Sequence, residues 1–239
     1  MDDSWYQFLD EIRGARRELG NPPVVWYRGH SSDRYALVPS LHRHESGLSK
    51  EQSLFLEFER TAARLFEKRD DDWQTLCDMQ HYGLPTRLLD WTEALGVALA
   101  FAVLDRFETD DNAAVFVLDP AALNRSSGLD GIKRIPGTAF EYKAVYWHNQ
   151  PFAAQYPIAI APTFRNDRMI AQRGVFTVHG LDSRPVEALC PKAIRKVPLP
   201  ESALVGAREF LEYADFTSYT IYPDIVGMAR HIRKKHLGG

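Results

Sequence analysis

The first candidate for chemistry is an arginine at the end of a predicted β-strand. Val24–Gly29 is rich in residue types that favour extended backbone, so it is predicted to be a strand. Alternation along the strand places Trp26 and Arg28 on the same otherwise apolar face, and a glycine follows. A guanidinium suits phosphate or carboxylate, and Gly29 lets a ligand or another backbone segment come close. The competing interpretation is a buried arginine–carboxylate pair that holds the strand end.

Residues 80–92 (QHYGLPTRLLDWT) form the second candidate segment. They cover a predicted helix end, a turn and a strand, and alternation places Thr86 and Asp90 on one face of that strand and Arg87 on the other. Each residue also has a structural explanation as a turn former, a helix cap or a core side chain. Those explanations account poorly for polar side chains crowded between apolar elements, so we expect a site here.

Residues 168–177 (RMIAQRGVFT) form the third candidate segment. Gln172 and Gly174 lie where a loop is predicted to enter a strand, a common position for side chains that reach into a cleft. Three arginines make the stretch basic: Arg165, Arg168 and Arg173. The alternative is a solvated loop whose charges protect a strand edge.

Hydrophobic periodicity predicts the elements that position these segments. The predicted helices are residues 4–19, Ser49–Arg69, Trp73–Tyr82, Thr92–Arg106, Glu201–Tyr213 and Asp224–Lys235. The other predicted strands are Thr86–Asp90, Ala113–Leu118, Ile158–Ala161, Gly174–His179 and Ala193–Leu199, and residues 121–157 carry no clean periodicity. The last helix is predicted to bury Ile225, Met228, Ala229 and Ile232. The pattern predicts one α+β domain over residues 1–239, a mixed sheet flanked by helices, with 1–23 as an N-terminal helix and linker and 24–232 as the core.

Composition predicts a soluble protein of the cell interior, that is, a cytoplasmic one. The 239 residues are 45% hydrophobic and 26% charged with a net charge of −3, which argues against a disordered chain and gives no overall basic field. The longest apolar stretch, Ala94–Leu104, is too short to cross a bilayer. No metal site is expected, because Cys77 and Cys190 stand far apart and the pair His42 and His44 has no further ligand at the usual spacing.

The three segments, together with Val38–Leu41 and Tyr222–Gly227, resemble the FRG domain family, which is named for a Phe/Tyr-Arg-Gly motif. The resemblance runs from about Val24 to about Ile232 and is most specific over residues 80–92. It implies a bacterial or phage-encoded domain of the kind found in defence and toxin–antitoxin settings, with a neutralising antitoxin or partner protein.

A more distant resemblance is to ADP-ribosyltransferases of the arginine–serine–glutamate type, which implies a fold like theirs. It places Arg28 at the end of the first core strand, Thr86 on the second and Gln172 at the entry to a later strand. No carboxylate stands at residues 172–174, so Asp90 and Glu141 are the candidates for the catalytic acid.

The same resemblance implies NAD as the ADP-ribose donor. Arg28 would clamp its pyrophosphate, with Arg87 or Arg168 as a second cation. The remaining expected binding residues are the stacking candidates Tyr27, Tyr82 and Trp91, together with Gly29 and His81.

The rival interpretation is a non-catalytic module that binds a nucleotide or a nucleic-acid end through the same arginines. A nucleic-acid acceptor would contact the basic C-terminal face: Arg230, Arg233, Lys234 and Lys235. The structural alternative for that face is favourable charge at a helix C-terminus. A metal-dependent nuclease is disfavoured, because the acidic run 70–72 lies at a predicted helix start.

Overall fold

A seven-stranded mixed sheet organises the protein. The structure, a computed structural model, describes residues 3–65, 71–104, 112–136, 140–164 and 166–237. The strands are β1 (Trp26–His30), β2 (Leu88–Thr92), β3 (Ala113–Leu118), β4 (Lys133–Ile135), β5 (Ile158–Pro162), β6 (Gly174–Val178) and β7 (Ile194–Leu199). The α-helices are α1 (Asp3–Glu18), α2 (Gly47–Ala62), α3 (Asp72–His81), α4 (Leu95–Val103), α5 (Pro120–Ser126), α6 (Tyr142–Tyr146), α7 (Asp167–Gln172), α8 (Val186–Leu189), α9 (Leu204–Tyr213), α10 (Ser218–Ile221) and α11 (Ile225–Leu237), with 3-10 turns at Ser40–Arg43 and Glu201–Ala203. None of the helices in the described ranges combines the length and the apolar character needed to span a bilayer.

The sheet separates at its centre. Its strand order is β4-β5-β6-β2-β1-β3-β7, with β4 and β5 parallel and the other neighbours antiparallel. Strand β1 pairs with β3 over its whole length, but within the described residues it pairs with β2 only at Tyr27 and Thr92. The two central strands therefore diverge toward His30 and Leu88, which leaves a gap at the end of β1.

Two hydrophobic cores share one face of the sheet, and a third covers the other face. The first core packs α1, α4 and α9 over Tyr27 and its neighbours, and the second packs α2, α3 and α6 over Leu88 and its neighbours. Because Tyr27 pairs with Thr92, which is on the same face of β2 as Leu88, these two cores lie side by side. The third core contains Trp26 and Trp91. The junction of the first two cores is where the gap between β1 and β2 opens.

The predicted α+β fold class and mixed sheet are confirmed. All six predicted strands are present, Ala113–Leu118 with unchanged bounds and the strand predicted at Thr86–Asp90 displaced to β2. Strand β4 and helices α5 and α6 lie in the stretch without periodicity, and α7, α8 and α10 were not predicted. The predicted helix ends Arg69 and Arg106, and also Asp70 and Arg165, lie outside the described residues.

The predicted burial of the last helix is wrong. Ile225 is 76% exposed, Met228 39% and Ile232 50%, whereas Gly227 is the buried residue of α11. A Cβ at Gly227 would lie 1.9 Å from the carbonyl oxygen of Tyr222. The helix therefore packs through its glycine side on the preceding segment at Tyr222 and leaves Ile225, Met228 and Ile232 exposed.

Candidate functional site

A cavity of about 210 Å³ opens beside the gap between β1 and β2. Strands β1, β2 and β6 and helices α3, α4 and α7 contribute its walls. Most of the residues predicted for the site line it: Tyr27, Arg28, Gly29, His81, Asp90, Trp91, Arg168 and Gln172. The cavity thus joins all three segments singled out in the sequence, because β1, β2 and β6 are neighbours in the sheet.

Arg28 bridges the two diverging strands. Its Nη1 donates to the backbone oxygen of Asp90 at 2.5 Å, and its Nε donates to Nε2 of His30 at 2.9 Å. The side chain is 21% exposed, and Nη2 has no hydrogen-bond partner among the residues that the structure describes. Burial lowers the pKa of Arg28, although a guanidinium remains charged at any physiological pH. A donor edge of a held guanidinium is therefore left for an anionic group.

His30 fixes the orientation of that guanidinium. Burial, with a smaller contribution from the charge of Arg28, lowers the pKa of His30 to about 3. The imidazole is therefore neutral, and because Nε2 accepts from Arg28, its proton is on Nδ1, which lies 3.2 Å from the backbone oxygen of Tyr35. His30 was not predicted as a site residue; its place two residues after Arg28 on a strand is the signal that could have identified it.

A chain of three side chains holds the carboxylate of the site. Asp90 Oδ2 accepts from Gln80 Nε2 at 2.9 Å and lies 3.8 Å from Arg28 Nη1. The Oε1 atom of Gln80 accepts from the hydroxyl of Thr86 at 2.6 Å, which sets the direction of the amide. Thr86, which was expected to support the strand that carries the ribose contact, is 1% exposed and does not line the cavity. It supports Asp90 through Gln80.

Thr92 is the hydroxyl residue of β2 that lines the cavity. Its Oγ1 donates to the backbone oxygen of Gln172 at 2.7 Å and accepts from the backbone N–H of Ala94 at 3.0 Å. The distant resemblance had placed Thr86 as the hydroxyl residue of the second core strand. Alternation also puts Thr92 on the same face as Asp90, and this is the signal that could have identified it.

Gln172 ends a helix that was predicted to be a loop. Asn166 caps that helix, α7, by accepting from the N–H of Met169 at 2.8 Å. Gln172 lines the cavity, but its Nε2 donates to the backbone oxygen of Ile221 at 3.1 Å. The amide therefore ties α7 to the C-terminal segment.

Arg168 is the second cation that lines the cavity. Its guanidinium carbon lies 4.9 Å from the ring centre of Tyr222, a cation–π contact that orients it. Burial, and then the charge of Arg168, lower the pKa of His81 on the facing helix α3. The cavity therefore combines Arg28 and Arg168 with a single lining carboxylate among the described residues, that of Asp90.

Arg87 does not join the cavity, contrary to its expected role as a second cation. Its Nε and Nη2 donate to the two carboxylate oxygens of Glu51 at 2.6 and 2.7 Å, and its Nη1 donates to Gly180 O at 2.9 Å. Tyr142 also donates to Glu51, and the arginine is 3% exposed. The buried arginine–carboxylate pair that was considered for Arg28 is thus formed by Arg87 with Glu51.

Two further predicted residues lie away from the cavity. Glu141 is exposed at the start of α6, and Tyr82 is 62% exposed beside His81 without lining the cavity. The expected participation of Glu141 as the acid and of Tyr82 as a stacking ring is therefore not supported by their positions.

Gly29 and Trp91 line the cavity but serve the fold. A Cβ at Gly29 would lie 1.8 Å from the carbonyl oxygen of Ala98, so the glycine admits helix α4 against β1. Trp91 is 3% exposed, and its Nε1 donates to Thr177 Oγ1 at 3.1 Å. Neither residue leaves a free surface on which a base could stack.

No cluster of three or more histidine, cysteine or acidic side chains suited to a metal ion occurs within the described ranges. The cavity itself offers cations, amides and hydroxyls, which suit an anionic organic ligand.

Comparison with known proteins identifies part of the chain. Residues 23–111 match the sequence model of the FRG domain. No curated protein and no solved structure was found to match, so the likeness to ADP-ribosyltransferases has no support from these comparisons. The matched residues include β1, β2, α3 and α4, and hence Arg28 and Asp90, whereas α7 and β6 lie beyond the match. The chain therefore carries a match to the FRG domain over residues 23–111, and the remainder of the chain lies outside that match.

Proposed function

We propose that the cavity binds the phosphate-bearing part of NAD or a related nucleotide, and that the protein is an ADP-ribosyltransferase-like enzyme. The observation that carries this proposal is the Nη2 edge of Arg28, which has no partner among the described residues and belongs to a side chain held at the cavity wall. Arg168 of α7 supplies a second positive charge in the cavity wall.

The size of the cavity bears on how NAD fits. About 210 Å³ is below the roughly 300–1,000 Å³ that encloses a drug-sized ligand, so a whole dinucleotide is not enclosed. We infer that one end enters, with the phosphates at Arg28 and Arg168 and the remainder outside.

Asp90 is the residue suited to the chemical step. In glycosyl transfer from NAD, the bond between the ribose and nicotinamide breaks with its electron pair leaving on nicotinamide, and positive charge develops on the sugar. A carboxylate beside the sugar stabilises that charge, and Gln80 and Arg28 hold Asp90 in one position. The acceptor, a protein or a nucleic acid, then forms the new bond to the sugar and releases its proton.

A second candidate function is a non-catalytic nucleotide- or nucleic-acid-binding module. Two observations favour it: residues 172–174 contain no carboxylate, and the Gln172 amide is engaged by Ile221. In that case Asp90 orients Arg28 and takes no part in a reaction.

Binding is tested with Arg28→Lys, which keeps the charge and removes the planar fork. Calorimetric titration with NAD and with ADP-ribose should show binding weakened by about tenfold or more. Arg60→Lys, in the exposed pair with Glu57, is the matched control and should bind as the parent does. Parental affinity in a folded Arg28→Lys and also in Arg28→Ala would exclude the phosphate site.

Turnover is tested with Asp90→Asn against Glu141→Gln. Each protein is incubated with labelled NAD and protein, DNA and RNA acceptors. We expect Asp90→Asn to bind NAD and to lose about 100-fold or more of the transfer rate, and Glu141→Gln to keep the parental rate. Binding of NAD by the parent without any turnover would select the binding module.

The family setting extends the proposal to a toxin or defence effector that a partner protein neutralises. Expression in a bacterial host should then slow growth for the parent and not for Asp90→Asn. Equal growth with both proteins at equal expression would contradict this role.

A further inference from the structure

Helix α11 presents an apolar stripe that the domain leaves uncovered. Ile225, Met228 and Ile232 recur at the spacing of one helix face, and they are 76%, 39% and 50% exposed. Gly227 is buried and lies on the other side of the helix, and the half-buried His231 lies between Gly227 and Met228 around the helix axis. The less exposed side of α11 is therefore the one that contains Gly227 and His231, and the stripe lies outside it.

Cations border the stripe. Helix α11 carries Arg230, Arg233, Lys234 and Lys235 and no acidic residue, whereas the whole chain has a net charge of −3. At the angular spacing of an α-helix, Lys235 lies beside Met228 on one edge of the stripe and Arg233 lies beyond Ala229 on the other. An occupant of the stripe thus meets positive charge on both sides.

This charge distribution selects among the occupants of an apolar helix face. Two copies of α11 packed stripe to stripe would bring like charges together, which disfavours self-association. A membrane surface rich in anionic lipid would attract α11 but repel the remainder of the chain, in which acidic residues are in excess. The stripe also contains no aromatic residue of the kind that anchors interfacial helices.

We propose that the stripe of α11 (Ile225, Met228 and Ile232) binds an amphipathic helix of a partner protein whose apolar ridge is flanked by Asp or Glu. Apolar side chains of the partner pack on the stripe, and its carboxylates meet Arg233 and Lys235. This inference does not rest on the proposed enzymatic function.

Helix α11 is connected to the wall of the candidate site. Gly227 packs against Tyr222, whose ring contacts Arg168 in the cavity wall. The stripe lies on the side of α11 away from this contact, so the helix itself would stand between a bound partner and Tyr222.

The test uses the full chain and a synthetic amphipathic peptide with leucines at helical spacing flanked by glutamates. A scrambled peptide of the same composition and a peptide with lysines in place of the glutamates are the reference probes. Fluorescence anisotropy should show the acidic amphipathic peptide binding at least about tenfold more tightly than either reference, and less tightly as salt rises.

The variant Ile225→Ser/Met228→Ser/Ile232→Ser should weaken this binding by about tenfold or more. The control Leu56→Ser/Val205→Ser changes exposed apolar residues on α2 and α9 and should bind as the parent does. Both should keep the parental melting temperature, because all five side chains are exposed.

Each of the following results would overturn the proposal. The scrambled peptide binds equally well, the triple variant binds as the parent does, or the melting temperature of the triple variant falls and so shows that the stripe is packed. Preferential binding of the parent to vesicles of anionic phospholipid would also overturn it. A dimer in sedimentation that the triple variant abolishes would assign the stripe to a second copy and would equally overturn it.

Discussion

Two buried neutral histidines should make the protein acid-sensitive. Burial is the main cause that lowers the pKa of both His30 and His179 to about 3, and neighbouring cationic groups add to it. An unfolded chain takes up a proton at each histidine near pH 6.5, whereas the folded chain does not until about pH 3. The unfolded state thus binds more protons as the pH falls below 6.5, so stability is complete above that pH and is lost as the pH falls toward about 3.

The size of the effect follows from the same linkage. Between about pH 7 and pH 5, each histidine should remove about 2 kcal/mol from the free energy of unfolding, and the two together about 4 kcal/mol. This estimate depends only on both folded-state pKa values lying well below 5, so it is insensitive to their exact position.

The assay is urea unfolding followed by tryptophan fluorescence at a series of pH values. We compare the parent with His30→Gln and His179→Gln, and we use His148→Gln as the exposed control. Each buried-histidine variant should lose about 2 kcal/mol of the pH dependence, and the control should lose none. Because only the difference between pH values is compared, a general loss of stability in a variant does not affect the conclusion. A His179→Gln variant with the parental pH dependence would refute the reasoning, since His179 would then be protonated in the folded chain.

Gly29→Ala should lower the free energy of unfolding by about 3 kcal/mol or more, because the added methyl group collides with α4. Gly14→Ala, where an added Cβ meets open space, should raise the free energy of unfolding by about 0.5–1 kcal/mol. Equal effects of the two variants in chemical denaturation would contradict the close packing at Gly29. Arg87→Met should lower the free energy of unfolding by about 3–5 kcal/mol, because it leaves Glu51 buried without its partner, and adding Glu51→Leu should recover most of that loss. Losses that simply add in the double variant would argue against a coupled pair. Arg173→Gly should raise the melting temperature slightly, because Arg173 adopts the left-handed conformation (φ 46°) and glycine relieves its backbone strain of about 1 kcal/mol. A lower melting temperature would show that the side chain of Arg173 contributes more to stability than its backbone strain costs.

The local parts of the fold could be predicted from sequence. The strand Ala113–Leu118 is a short apolar run ended by Asp119, and the structure keeps both bounds. The acidic run 70–72 was expected at the start of a helix, and Asp71 caps α3 by accepting from the N–H of Gln74 at 3.0 Å. In both cases the determining interactions lie within a few residues of one another, so the pattern of side chains was sufficient.

The site could be predicted only in part, because several assignments depend on distant partners. The sequence offered Arg87 or Arg168 as the second cation. The ion pair with Glu51, which is 36 residues from Arg87 in the chain, keeps Arg87 out of the cavity. The stripe on α11 was found by its period, but its direction depends on the contact of Gly227 with Tyr222. Periodicity finds an apolar face, and it does not tell whether a partner for that face exists in the same chain.

The sparse pairing of β1 with β2 has a mechanical consequence. With a single backbone register position at Tyr27 and Thr92 between these strands in the described residues, the Arg28 contact to Asp90 O is a second connection between two halves of the sheet. A ligand bound at the Nη2 edge would leave this bond in place and hold the guanidinium more firmly, so ligand entry should tighten the junction of the two strands. Amide hydrogen exchange at β2 should then report on occupancy of the cavity from a distance, even for a ligand that touches no backbone atom of that strand.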